Sequence, residues 1–265
     1  MNGVIALSNQ DLLVATTLVL VAGVISLVLQ LRLERQLALA TVRTVVQLFL
    51  VGYVLRYVFQ LENVWAVSAV VFVMLVAASR ASVARCSRTY SGALSSAFLT
   101  LVLAGLLTAF SVTRLVVEVQ PWWKPQYLIP LLGMVLGNSL TGVSLCLESL
   151  LEALDKNRAQ VEMELAHGAT SWEAAREPLQ QAVRRGMIPI INSMMVVGLV
   201  SLPGMMTGQI LAGTDPLEAV KYQIVVMFML AAASAFASMG VALLAYRRLF
   251  NERHQLLAGV IVGRS

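Results

Sequence analysis

Four methionines stand in two adjacent pairs, Met194-Met195 and Met205-Met206, and their thioethers are donors of the kind that hold soft metal ions. Methionine is equally a filler of apolar interiors, and the imidazole and thiolate donors that other transition metals prefer are scarce here. Only His167 and His254 offer imidazole, and no histidine or cysteine cluster has ligand spacing, so the residues assign no metal site. Gly137-Asn138-Ser139 and Gly142-Val143-Ser144 carry serine hydroxyls, which act as nucleophiles only beside a positioned base. Both histidines fall outside the apolar runs, so an intramembrane serine protease fails on chemistry and the chain does not read as an enzyme. No G-x-x-x-x-G-K-[ST] phosphate loop exists, because none of the three lysines follows glycine; this chain is expected to bind no nucleotide cofactor in that manner. Cys86 and Cys146 suggest no disulfide framework.

A second set of polar side chains lies inside apolar runs. Arg43 stands about two turns into one of them, where a charge costs up to about 3 kcal/mol and needs a partner or a route to headgroups. Gln47 follows one turn later on the same face, so the pair either lines a cavity, bridges to a facing protomer or snorkels. Asn138 and Asn192 are amides at membrane depth that require hydrogen bonds, more often between helices than to a solute. Glu148, Glu152 and Asp155 share a helical face at one mouth of the fifth run, where they either concentrate cations or form a solvated helix end.

The elements that must position these groups are legible from hydropathy. Of 265 residues 58% are hydrophobic and 12% charged, against roughly 25% charged in ordinary soluble domains. The apolar residues gather into seven runs, 12–31, 37–55, 64–79, 91–113, 127–147, 187–214 and 222–246, with only Arg43 charged within them. About 20 helical residues cross a hydrocarbon core roughly 30 Å thick, and lipid leaves only helices or closed barrels to span it. The ten-residue alternation of a barrel is absent, so the expected fold is an all-α membrane bundle of about seven transmembrane helices. The first run is full length and lacks a basic flank before it, so it is expected to stay as a helix rather than be removed as a signal peptide.

Basic residues sort by loop. Arg32, Arg35, Arg80, Arg85, Arg88, Lys156, Arg158, Arg176, Arg184, Arg185, Arg247, Arg248, Arg253 and Arg264 fall in one alternating set, 14 of the 19. Arg56, Arg114, Lys124 and Lys221 fall in the other. The positive-inside rule then places the N-terminus outside and the C-terminus in the cytoplasm, with Trp65, Trp122 and Trp123 at the outer interface. The net charge of +5 is thus topological, and no nucleic-acid partner is inferred.

The sixth run, 28 residues, would make a straight helix of about 42 Å, too long for the core, so a bend or break is expected near Pro203-Gly204. Ser201, Pro203, Gly204, Met205, Met206 and Gln209 are therefore candidate gate or pathway residues. Gly204 and Gly208, like Gly133 and Gly137, also have the G-x-x-x-G spacing of close helix contact or dimerisation. Residues 148–186 form the only sizeable segment outside the membrane, too short for a domain. Gly168 is expected to end one helix there, and Thr170 with Glu173 to cap the next, which Pro178 should limit to about two turns unless tertiary packing tolerates a kink. Leu165, Ala169, Trp172 and Ala175 or Arg176 then recur as an apolar stripe able to enter a partner's groove or rest on lipid headgroups.

Glu164-Leu-Ala-His-Gly168-Ala-Thr-Ser-Trp172 resembles the EAA-type coupling sequence of bacterial ABC importers, with the triplet degenerate and Pro189 farther from the glycine than is usual there. A wider likeness is carried by Gly198-Leu-Val-Ser-Leu-Pro-Gly-Met-Met-Thr-Gly-Gln-Ile-Leu-Ala-Gly213, Asp215-Pro216, Ala219-Val-Lys-Tyr-Gln-Ile224, Arg43-Thr-Val-Val-Gln47 and Gly133-Met-Val-Leu-Gly-Asn138-Ser. On these strings the chain is similar to the FetB family of iron-export ABC permeases and its plant STAR-type aluminium-tolerance relatives. The resemblance implies a single ABC-type transmembrane domain over residues 1–265, with a coupling segment at about 155–186. It implies a homodimer in the bacterial inner membrane, working with two copies of a separate ATPase that binds ATP and magnesium. It also implies that the solute is iron and that the direction is export. Two other readings stay open: an ABC permease for a lipid, sugar nucleotide or peptide, and an ion-coupled carrier, which the single intramembrane charge and lack of a visible repeat disfavour.

Overall fold

The computed structural model describes residues 8–61 and 63–263, so Arg264 lies outside the described residues. Among the described residues six helices are long and apolar enough to cross a membrane. They are α1 (Asn9–Val28), α2 (Glu34–Leu61), α3 (Val64–Ala84), α4 (Ala93–Ser111, extended by a π turn at Val112–Val116), α5 (Pro125–Lys156) and, last in the chain, α9 (Pro216–Leu249). Between α5 and α9 come α6 (Arg158–Ala166), α7 (Ser171–Val196) and α8 (Gly204–Leu211). Helix starts obey local chemistry. Ser8 and Asp11 form a capping box for α1. Asn63 caps α3 through Trp65 N–H at 2.8 Å, and Asp215 caps α9 ahead of Pro216 at its first position.

The bundle is built around α5, which packs most extensively on α9 and α7 and also meets α3 and α4. Leu132, Leu147, Leu150, Leu151 and Leu154 of α5 are buried there with Leu101 of α4 and Val241 of α9. The α1–α2 hairpin stands at the edge, joined where Ser26 Oγ accepts from Leu33 N–H at 3.0 Å, and its apolar side chains are nearly all exposed. A surface of that kind is at rest in hydrocarbon, and the protein is a multi-pass membrane protein.

The sixth apolar run, 187–214, is the one that differs from a simple span. Its apolar residues are divided between the end of α7, a turn and α8, so the described residues hold six continuous spans and one broken segment. The expectation that Pro178 ends its helix after two turns is also corrected: α7 runs through both Pro178 and Pro189 to Val196. Contacts with α5 and α9 along its length hold it helical despite the missing donors. Strand β1 (Arg88–Tyr90), after α3, pairs antiparallel with β2 (Ile261–Gly263), which follows a single 3-10 turn at Ala258–Val260.

Candidate functional site

Helix α7 stops because Val197 turns to an extended conformation and Gly198 takes φ +82°, a left-handed value glycine adopts without strain. Gly198 N–H donates to Ser201 O at 2.9 Å and closes the turn, leaving Leu199 and Val200 exposed at its tip. The break therefore begins five residues before Pro203, which acts instead as the extended residue preceding α8. At eight residues α8 is about 12 Å long and cannot cross a membrane by itself.

Short as it is, α8 has an open cleft on each side. One, of about 580 Å³, is lined by Gln126, Tyr127 and Met134 of α5, Met205 and Gln209 of α8, and Tyr222 of α9. The other, of about 440 Å³, is lined by Met194 of α7, Met206 of α8, Gln223 and Met227 of α9, and Leu202. Gln209 Oε1 and Gln223 Oε1 are both buried without a hydrogen-bond partner, which costs free energy unless a ligand or water satisfies them. Of the six gate candidates, Met205, Met206 and Gln209 line clefts, whereas Ser201 and Gly204 are exposed and Pro203 is half-buried at the turn. The sequence reading missed Gln223, Tyr127 and Tyr222; a lone amide in an otherwise apolar run was the available signal for Gln223.

The other intramembrane polar residues lie elsewhere. Arg43 and Gln47 are exposed on α2 and make no hydrogen bond or ion pair among the described residues. Asn138 Nδ2 donates to Met134 O of its own helix at 3.0 Å, and Asn192 is exposed on α7. A bond between helices comes instead from Ser144 Oγ, 2.9 Å from Ser82 O of α3.

Glu148, Glu152 and Asp155, at the end of α5, each hold a partner. Ser87 N–H donates to Glu148 at 2.7 Å, and Arg88 pairs with Asp155 at 2.8 Å, so two of the carboxylates pin the β1 segment to α5. Glu152 meets Lys156 and, at 3.9 Å, Arg185 of α7.

Beside them lies the segment read as coupling. Helix α6 ends where Gly168 N–H and Ala169 N–H bond Leu165 O and Glu164 O at 3.1 Å each, and Gly168 takes φ +95°. The capping box expected at Thr170 and Glu173 is present: Thr170 N–H donates to Glu173 at 2.8 Å, and Glu173 N–H to Thr170 Oγ1 at 3.3 Å. Trp172 is 48% exposed and meets Tyr246 edge-on with ring centroids 5.5 Å apart. Ser171 Oγ lies 2.8 Å from Tyr246 Oη, and Ser171 N–H donates to His254 Nδ1 at 3.2 Å. The expected apolar stripe is not one continuous face, because Gly168 separates Leu165 from Trp172 and Ala175 is buried in the core.

Thr170→Ala is expected to cost about 1 kcal/mol at the start of α7. Hydrogen exchange should lose protection in its first turn with the rest of α7 unchanged; full protection would show the box to be dispensable. The Thr170 backbone N–H, then its hydroxyl, holds the Glu173 carboxyl below the usual carboxylate range. A depressed pKa means the contribution is fully present above the unfolded value of about 4.3 and is lost as pH falls through the folded one. The cap is therefore intact at neutral pH.

Among the described residues no group of three or more histidine, cysteine, aspartate or glutamate side chains is placed to hold a metal. The profile of the Uncharacterised protein family (UPF0014) matches residues 9–250. A UPF0014 membrane protein of Synechocystis is 44% identical over 230 residues, covering 86% of this chain and 88% of its own. The probable iron export permease protein FetB of Escherichia coli is 35% identical over 253 residues, 95% of each chain. Protein ALUMINUM SENSITIVE 3 of Arabidopsis thaliana is 32% identical over 249 residues, 91% of this chain and 87% of its own. No solved structure matches.

Proposed function

The chain belongs to the UPF0014 family of membrane proteins, and on that premise we propose that it is the permease subunit of an ATP-driven exporter whose solute is iron. The observation that carries the transport reading is the buried, unpartnered Gln209 Oε1 in a cleft beside a broken helix. Irregular backbone and an unsatisfied acceptor at membrane depth are tolerated where they line a solute path. The power source is a separate ATPase, because this chain has no phosphate loop. In this reading the chain lies in a bacterial inner membrane with its basic loops and C-terminus in the cytoplasm and its N-terminus outside, as the positive-inside rule favours. That orientation presents Gly168 to Glu173 to two ATPase copies, one for each protomer of a homodimer. Iron enters this reading from the printed name of the Escherichia coli relative.

A second reading, an ABC permease for a lipid or sugar nucleotide, is favoured by the uncharged cleft lining of amides, phenols and thioethers. The two readings separate in cells loaded with iron. Deleting the permease should raise cell iron and peroxide sensitivity, and the wild-type chain should reverse both. Gln209→Leu should behave as the deletion while still retaining the ATPase on co-purification. Unchanged iron on deletion rejects iron as solute, and full rescue by Gln209→Leu removes that residue from the path.

A further inference from the structure

The second cleft beside α8 is not accounted for by the Gln209 path. Met194, Met206 and Met227 reach it from three different helices, α7, α8 and α9, although they are widely separated along the chain. Methionine used as a filler closes gaps between helices. Here the three side chains border about 440 Å³ of open space instead. Gln223 borders the same space, only 6% exposed, and its Oε1 has no hydrogen-bond partner. The lining thus combines three thioether side chains with an amide whose buried Oε1 lacks a counterpart, and it contains no charged side chain.

That donor set selects a ligand class. Thioethers are soft and neutral, so they favour soft, monovalent ions over hard divalent ones, which demand carboxylate or water oxygen. A single positive charge is also the least costly to hold where no anion compensates it. We propose that this cleft is a binding site for a soft monovalent cation, copper(I) or silver(I), held by Met194, Met206 and Met227 with Gln223 Oε1 as the oxygen donor. The site is separate from the Gln209 cleft and independent of which solute is transported. The paired methionines divide the work: Met206 turns to this cleft, whereas Met205 turns to the other.

Silver(I) is the probe, because it is stable in air. The full-length chain, labelled at its methionine methyl groups and held in lipid nanodiscs, is titrated with silver nitrate. Of the twelve methionines, three should report by a methyl shift that saturates at one silver per chain, and single substitutions should assign them to Met194, Met206 and Met227. Met194→Leu, Met206→Leu or Met227→Leu should each weaken silver binding at least about tenfold, since loss of an outer-shell partner alone costs about 10–100-fold. Gln223→Leu should weaken it less than any of these. Met239→Leu, at an exposed position outside the cleft, should leave it unchanged. The thiols of Cys86 and Cys146 are the competing sinks. If silver leaves the three cleft methyl signals unmoved, because it does not bind or because it goes to those thiols, the proposal is wrong. It is equally overturned if the affinity ignores all three leucine substitutions.

Discussion

Gly186→Val is expected to deprive the protein of its fold. A Cβ at Gly186 would come within 2.8 Å of Gly142 O, 2.8 Å of Ser238 Oγ and 3.1 Å of Cys146 Cβ. The first of these is backbone in the middle of α5, which cannot give way without moving the helix on which the bundle is built. The branched valine adds two more carbons to the same space. Inserted methylenes cost about 1–3 kcal/mol where side chains can shift, and a clash with backbone exceeds that range. The reverse substitution, Gly142→Val, meets Gly186 O at 3.1 Å and should be nearly as harmful. Gly208→Ala is the control, since nothing lies within 4 Å of its added carbon. The measurement is the yield of monodisperse protein in detergent and its thermal midpoint. Wild-type values for Gly186→Val would show that α7 is not held against α5 as described.

Gly168→Val and Trp172→Ala are expected to separate ATP hydrolysis from transport while leaving the membrane helices intact. Gly168 sits at φ +95°, and a side chain in the left-handed region costs roughly 1–2 kcal/mol, more for a β-branched one. That strain shifts the turn's population by about 5–30-fold, and the turn sets where Thr170 begins α7. Trp172→Ala removes the exposed ring that rests on Tyr246. In vesicles containing permease and ATPase, both variants should lose the permease-dependent stimulation of ATP hydrolysis, with thermal midpoints close to wild type. Stimulation at the wild-type level in both would rule out this segment as the docking element.

Much of this architecture could be read from composition and spacing, and the rest failed for identifiable reasons. Apolar runs located each of the six spanning helices, because helical hydropathy in lipid is a local signal. Gly168 and the Thr170–Glu173 box were equally local and stand where expected. The effect of Pro178 could not be read locally because it depends on α5 and α9, which pack on α7 and keep it helical through the proline. Of the glycines with G-x-x-x-G spacing, Gly133 meets Met74 at 3.4 Å and Gly137, Gly204 and Gly208 have nothing within 4 Å inside the chain, whereas two helix backbones approach closely at Gly142 and Gly186. Neither glycine belongs to a recognisable repeat, and only the tertiary fold brings them together. At the clefts, Met205, Met206 and Gln209 were legible as a cluster on one segment, but the tyrosines and Gln223 reach it from distant helices. The β1–β2 pair joins a short loop to the far end of the chain, with no alternation long enough to announce it.

Helix α5 is 32 residues long, about 48 Å as a rod. One end carries Glu148 and Asp155, which grip the β1 segment, and the other carries Gln126, Tyr127 and Met134, which wall the Gln209 cleft. Between them lies the glycine contact with α7, where two backbones touch and no side chain can slide. That contact registers α5 against α7 backbone to backbone, so the carboxylate end that holds the β1 segment and the end that walls the Gln209 cleft belong to one helix whose spacing from α7 no change of rotamer can alter.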